Sequence, residues 1–586
     1  MEEKYSWNLK DIFEGEKEFL DCKKEIEFKL KELLKYRGHL AESSDNLYNC
    51  YKTYEEVLEL YEKFYSYGML SYHLDMKDSK NKKIYKTVEN VGTEFEKQVS
   101  FMVPEITKIE NKTILSFLDK DSRLERYKRE LTEIMKNKKH ILGEKEEELL
   151  ANYSEVFGSL ENTFDILTNT EFKFGKIKDG KGQEVEMTDG NYTAFLKDKD
   201  RSIRKDAFNL MYKKYSEFLN TIGELYLSKV KETTITSRLR KYGSSLERAV
   251  DNDDATINVY NSLIDAVHKN IDINHKFMKV KKELLGTNEM HLYDIYFNPI
   301  ETDEDNISFE EASKEVLEAL SVLGTQYTDK LREAFSNRWI DVFEKENKMG
   351  GAYSMGVYGV HPYVLLNFVN KKRDVSTIAH ELGHSMHSYY SNSTQNVIDS
   401  NYTIMVAEIA STVNEILLAK YQINKEKDKK KKNELIYELL EMFRATFFRQ
   451  AMFAEFEKEV HGKVEAGEML TTDDLNNIYY KLNKEYFGEH VFIDENIKYE
   501  WARIPHFYTP FYVYKYATGV SAAVVIAKNI LDGKPGYVEK YKEMLKQGCT
   551  KKSVELLKMV DVNLEDISTY ENAISFMEDL INELDV

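Results

Sequence analysis

Apolar residues recur three and four positions apart through most of this chain, with charged residues between them. That rhythm predicts long amphipathic helices. Tyr54-Glu55-Glu56-Val57-Leu58-Glu59-Leu60-Tyr61 is typical of residues 1 to about 165. Proline occurs only six times and is absent between Pro104 and Pro299, so little interrupts the helices. The rhythm changes in two places. Phe172 to Ile177 alternates, Asp179-Gly180-Lys181-Gly182 reads as a turn, and Glu184 to Met187 alternates again, which predicts a β-hairpin. The second patch runs from Gly350 to Phe368, and within it Tyr363-Val364-Leu365-Leu366-Asn367-Phe368 has the β-branched and aromatic content of a strand. That strand is either a free edge able to pair with an extended peptide or an ordinary buried strand, and both readings stay open. The expected fold is mainly α, with a small β-sheet.

Length and charge narrow the picture. A chain of 586 residues buries a large core and divides into two or more lobes. The expected division is an N-terminal helical lobe over 1–190, ending in the hairpin, and a second domain over 191–586. A net charge of −19 argues against nucleic acid or an anionic membrane surface as partner. No run approaches the ~18 apolar residues of a membrane span, and the N-terminus is charged from its second residue, unlike a signal peptide. Cys22, Cys50 and Cys549 are too few and too dispersed for a disulfide framework or a cysteine-based metal site. A cytoplasmic protein is expected. The Lys425 to Lys432 stretch is broken by Glu426 and Asp428 and reads as the solvated start of a surface helix.

The chemistry lies in His380-Glu381-Leu382-Gly383-His384. Residues four apart share one helix face, so both imidazoles can grip one metal ion while Glu381 reaches a water on it. Asp374 and Ser376 are candidate caps for this helix, and Val375, Ile378, Ala379, Leu382 and Met386 supply its packing face. A tetrahedral zinc needs a third protein ligand and keeps its last position for water. His387 lies about 10 Å along the helix from His380, too far to share the ion, and is expected to pack or to support a ligand. Glu408 is the better candidate. It sits in the apolar segment Thr403 to Ile416, where a buried carboxylate is costly unless it is paired or binds a metal. Spacing alone also allows a surface glutamate there. Glu415 lies on the same face and is placed to orient a ligand histidine through its other nitrogen.

The motif helix followed by Val406-Ala407-Glu408-Ile409-Ala410-Ser411-Thr412-Val413-Asn414-Glu415 resembles the thimet-oligopeptidase family of zinc peptidases, and more narrowly its oligoendopeptidase F branch. Tyr5-Ser6-Trp7-Asn8-Leu9-Lys10-Asp11-Ile12-Phe13 and Trp501-Ala502-Arg503-Ile504-Pro505-His506-Phe507-Tyr508, with Phe511 to Gly519, carry the likeness to both ends. The resemblance implies a two-lobed helical zincin with a deep substrate channel. It also implies one Zn2+ per chain on His380, His384 and Glu408, and oligopeptide substrates. His506, Tyr514 and Tyr512 are implied contacts for substrate or oxyanion, and a strand upstream of the motif is implied to bind peptide. Glu381 would act as general base for attack on an internal peptide bond. The four glycines from Gly350 to Gly359 suggest a loop that flexes over the cleft. The main rival is an exopeptidase, for which Arg503 could hold a terminal carboxylate, though the same arginine equally suits an internal salt bridge. A non-catalytic peptide binder would have no need of Glu381, and a structural zinc protein would need a fourth ligand.

Overall fold

The computed structural model describes residues 3–300 and 306–585. Helices dominate, as the apolar rhythm predicts, and the chain forms two compact units that are both discontinuous in sequence.

The first unit draws on residues 1–139, 304–418 and 526–561. Its N-terminal part packs the helices Glu16–Leu33, Ser44–Leu74 and Ser79–Val99 around a core that includes Phe19, Ile26, Leu30, Val57, Phe64 and Val88. Ser43 caps the long central helix, its side chain accepting the Asn46 N–H. The unit also holds a three-stranded sheet. The strand Tyr363–Phe368 lies in the middle, parallel to Ile340–Phe343 on one side and antiparallel to Tyr353–Met355 on the other. The strand foreseen from Tyr363 to Phe368 exists, and the structure decides between its two readings: it is the buried centre, and Tyr353–Met355 is an edge. Lys348, fully buried, locks this sheet together. Its ammonium donates to the carbonyls of Phe343 and Leu366 on neighbouring strands and pairs with Asp341 at 2.7 Å.

The second unit comprises residues 140–303, 419–525 and 562–586. It contains the foreseen hairpin, with Ile177 opposite Val185. Its core is strongly aromatic: Tyr226, Phe456, Tyr479, Trp501 and Phe507 cluster with ring centroids 5 to 6 Å apart. The lysine-rich stretch opens the helix Lys429–Phe443, capped by Asp428; its first turn is exposed, but from Asn433 onward the helix is mostly buried, so it is not the surface helix expected. Among the described residues, no helix is long and apolar enough to cross a membrane.

Candidate metal centre

The motif lies on the helix Lys372–Thr394, packed through Val375, Ile378, Ala379, Leu382 and Met386 as its pattern requires. The helix starts earlier than either proposed cap. Asp374 sits inside its first turn, where one carboxylate oxygen accepts the N–H groups of Lys371 and Val369, at 3.0 and 2.8 Å. The edge strand runs along this helix, Ser354 meeting Ser385 hydroxyl to hydroxyl at 2.8 Å.

A second helix, Ile404–Lys425, crosses the motif helix at close range. Gly383 makes the crossing possible: a β-carbon there would lie 2.5 Å from the Ser411 α-carbon and 2.6 Å from the Ala410 carbonyl oxygen. Asn414 fastens the pair, donating to the Ala379 carbonyl at 3.0 Å while accepting from the Tyr327 hydroxyl at 3.1 Å. The sequence reading passed over Gly383, whose signal was its smallness in the middle of a buried helix.

The crossing brings His380, His384 and Glu408 together. The two Nε2 atoms are 3.2 Å apart, and Oε2 of Glu408 lies 3.6 Å from the first and 3.8 Å from the second. Ligand atoms about 2.0–2.1 Å from a tetrahedral zinc are separated by about 3.4 Å, so the triangle and its donor types fit that ion. Among the described residues no other group of three His, Cys, Asp or Glu side chains converges in this way. Glu415 hydrogen-bonds Nδ1 of His380, which fixes the ring with Nε2 facing the triangle.

Electrostatics set the three motif side chains apart. Burial would depress His380, but the hydrogen bond to Glu415 and the charges of Glu415, Glu381 and Glu408 outweigh it, and its pKa lies above the usual 6.5. His384, buried and beside His380, falls to about 4. Glu381 is pushed up to about 7, chiefly by burial, with Glu408 and Glu415 adding to the rise and His380 opposing it. His387 is buried behind the ligands, stacked on Tyr402 with ring centroids 3.6 Å apart, and is a packing residue.

The C-terminal aromatic stretch belongs to the second unit and separates into two sets. His506 is exposed, its Nε2 3.3 Å from the Tyr516 hydroxyl, with the Tyr512 ring beside both. Tyr514 departs from the expectation. It is fully buried and its hydroxyl donates to Asp253 at 2.9 Å, so it serves the core instead of standing with His506 and Tyr512. Helical spacing could not have pointed to Tyr516, because Tyr512 precedes the helix Tyr514–Leu531; the two rings meet with centroids 5.6 Å apart. Arg503, the exopeptidase candidate, is held by Asp189 at 3.2 Å and lies 4.0 Å from Glu500.

A helical frame carrying a His–His–Glu donor triangle with a buried glutamate beside it defines a metallopeptidase. Comparison with known proteins narrows this. The sequence profile of peptidase family M3 matches residues 194–576, and that of oligopeptidase F matches residues 105–174. The chain is 38% identical to oligopeptidase PepF of Bacillus subtilis, over 99% of its own length and 87% of that protein. It is 36% identical to an oligoendopeptidase F homolog of Borreliella burgdorferi, over 99% and 97%. Among solved structures, oligoendopeptidase-F from Enterococcus faecium matches with a TM-score of 0.74 at 30% identity, covering 97% of this chain and 98% of that one. The chain belongs to peptidase family M3, and it is a metalloendopeptidase.

Proposed function

We propose that this chain is a zinc-dependent endopeptidase that hydrolyses internal bonds of short, unfolded oligopeptides. His380, His384 and Glu408 would hold one zinc ion per chain, and Glu381 would serve as the general base. The observation that carries the reading is the triangle of 3.2, 3.6 and 3.8 Å between the three donor atoms, its sides close to those of a tetrahedral zinc site. The relatives named as oligopeptidases support the substrate class.

A zinc ion bound there supplies an acidified water and a Lewis acid for the peptide carbonyl. The chain's own groups do the rest. Glu381, with a pKa near 7, is poised to accept the attacking water's proton and return it to the leaving nitrogen. Glu415 keeps His380 in one tautomer. The edge strand Tyr353–Met355 takes over the peptide-pairing role once considered for Tyr363–Phe368, because only an edge has backbone groups to spare. His506 and Tyr512, joined by Tyr516 in place of Tyr514, are the side chains proposed to contact substrate or oxyanion.

The test is cleavage of an internally quenched peptide by wild type and by Glu381→Gln at matched zinc content, with products mapped by mass spectrometry. Internal cuts by wild type, and a rate loss of about 10²–10⁴-fold or more in the zinc-replete variant, are expected. Equal rates would remove Glu381 from the mechanism, and cuts marching from one end would make the chain an exopeptidase.

A further inference from the structure

We infer that Arg373 forms a carboxylate-reading subsite, which selects peptides carrying a negative charge three or four residues downstream of the bond that is cut. The inference rests on the peptidase reading above and deepens it.

Three features of the first unit converge on this residue. A cleft of about 460 Å³ lies beside the motif helix, lined by Gly351, Ala352, Leu366, Phe368, Arg373 and Thr377. It therefore joins the segment leading into the edge strand to the first turns of the helix that carries Glu381. Thr377 and Arg373 stand one and two turns N-terminal to Glu381 along that helix.

Arg373 is also available. Its side chain is 78% exposed, and among the described residues its sole ion pair is a long one, 3.9 Å, to Asp374. Asp374, the one carboxylate of the wall among the described residues, is buried and turned onto the backbone N–H groups of Val369 and Lys371. It does not neutralise the guanidinium by a close contact. Asn367 braces the opposite wall, donating to the carbonyls of Met349 and Gly351 at 2.9 and 2.7 Å.

Direction and distance follow from the strand. Ser354 sits at Ser385, while Gly351 and Ala352 sit at the Arg373 end, so the strand runs in the same direction as the helix and its N-terminal end lies at Arg373. It already pairs antiparallel with Tyr363–Phe368, and a peptide added antiparallel to its outer edge would lie with its C-terminal part over Arg373. Arg373 is eight residues from Glu381, about 12 Å along the axis. An extended peptide covers that distance in about three or four residues. Its C-terminal half carries a carboxylate at the chain end, and an acidic side chain offers the same group. A guanidinium suits either as a charge-assisted, two-pronged donor.

The experiment compares quenched peptides with one scissile bond and a free or amidated C-terminus placed two to six residues downstream. A second, amidated series carries Glu or Gln at the third and fourth positions. Wild type, Arg373→Gln and Arg373→Glu are assayed at low salt. Wild type should favour the charged member of a pair by about tenfold in kcat/KM, most strongly at three or four residues. Arg373→Gln should lose that preference while cutting neutral peptides at the wild-type rate, and Arg373→Glu should reverse it. A response to the free terminus alone, or to Glu alone, assigns the site to that source. Equal rates on charged and neutral peptides by wild type, or a preference that survives in Arg373→Gln, would overturn the inference and leave the peptidase reading intact. No cleavage of any peptide would overturn both.

Discussion

Ser411 backs directly onto Gly383, so closely that a methyl group on the glycine would be 2.5 Å from the serine α-carbon. The glycine of the motif is thus the reason Glu408 and Glu415 can approach the histidines at all. Gly383→Ala must push the two helices apart, at a cost of ~1–3 kcal/mol. The expected result is a folded protein with weakened zinc binding and a lowered unfolding midpoint. Zinc titration of the variant checks it, and wild-type affinity would contradict the account.

Glu415 sets the pH at which His380 gives up a metal. The carboxylate holds the His380 pKa above 6.5, so protons compete with metal as the pH falls through that raised value. Glu415→Gln keeps an acceptor for Nδ1 and removes the charge. Zinc affinity at neutral pH should fall by about 10–100-fold, and its acid-side decline should move to lower pH. Competition with a chelator across about pH 5 to 8 reads both effects.

Tyr512 and Tyr514 should part company on mutation. Tyr514→Phe removes a buried donor from Asp253, a loss of ~1–3 kcal/mol in stability, with kcat/KM of the folded enzyme almost unchanged. Tyr512→Phe or Tyr516→Phe should leave the unfolding curve in place and lower kcat. Denaturation and kinetics on the same preparations separate the two patterns.

Gly356 faces Ser388 of the motif helix, whose β-carbon would lie 2.6 Å from an added methyl group. Substitution by valine should lower turnover through this contact, which displaces the segment just after the edge strand. A compensating Ser388→Gly change should restore much of the rate if packing is the cause. If the rate stays low in the double variant, loop flexing becomes the better explanation.

Pairing with an edge strand requires an extended segment with unpaired backbone groups. A short unstructured peptide offers one, and a folded domain does not. The same cleavable sequence should be cut quickly in a free peptide and resist when placed in a stable β-hairpin or a folded host. Rapid digestion of the folded host would count against the substrate class.

The sequence disclosed the parts of this centre better than their arrangement. The spacing of His380 and His384 is a local signal that physics makes legible; Glu408 is only partly buried, so spacing left a surface glutamate open there and the family resemblance singled it out. Glu415 was readable because it shares a helix face with Glu408. The order of strands was not readable. Tyr363–Phe368 has the composition of a strand whether it lies at the centre or the edge, and only the pairing with Ile340–Phe343 and Tyr353–Met355 decides. The burial of Tyr514 also depends on Asp253, which is 261 positions away. Arg503 reads equally as a holder of a terminal carboxylate or as a partner in an internal salt bridge until Asp189 is found beside it.

The motif helix leans on chain that is made much later. Gln395 near its end donates to the Lys546 carbonyl across 151 positions, at 2.7 Å, and the Cys549 N–H reaches back to the Asp399 carbonyl at 2.9 Å. During translation, both histidines leave the ribosome well before this brace exists. Arrested chains that stop before residue 546 should therefore bind zinc poorly, a property that delays the birth of a peptide-cutting centre until most of the protein has been synthesised.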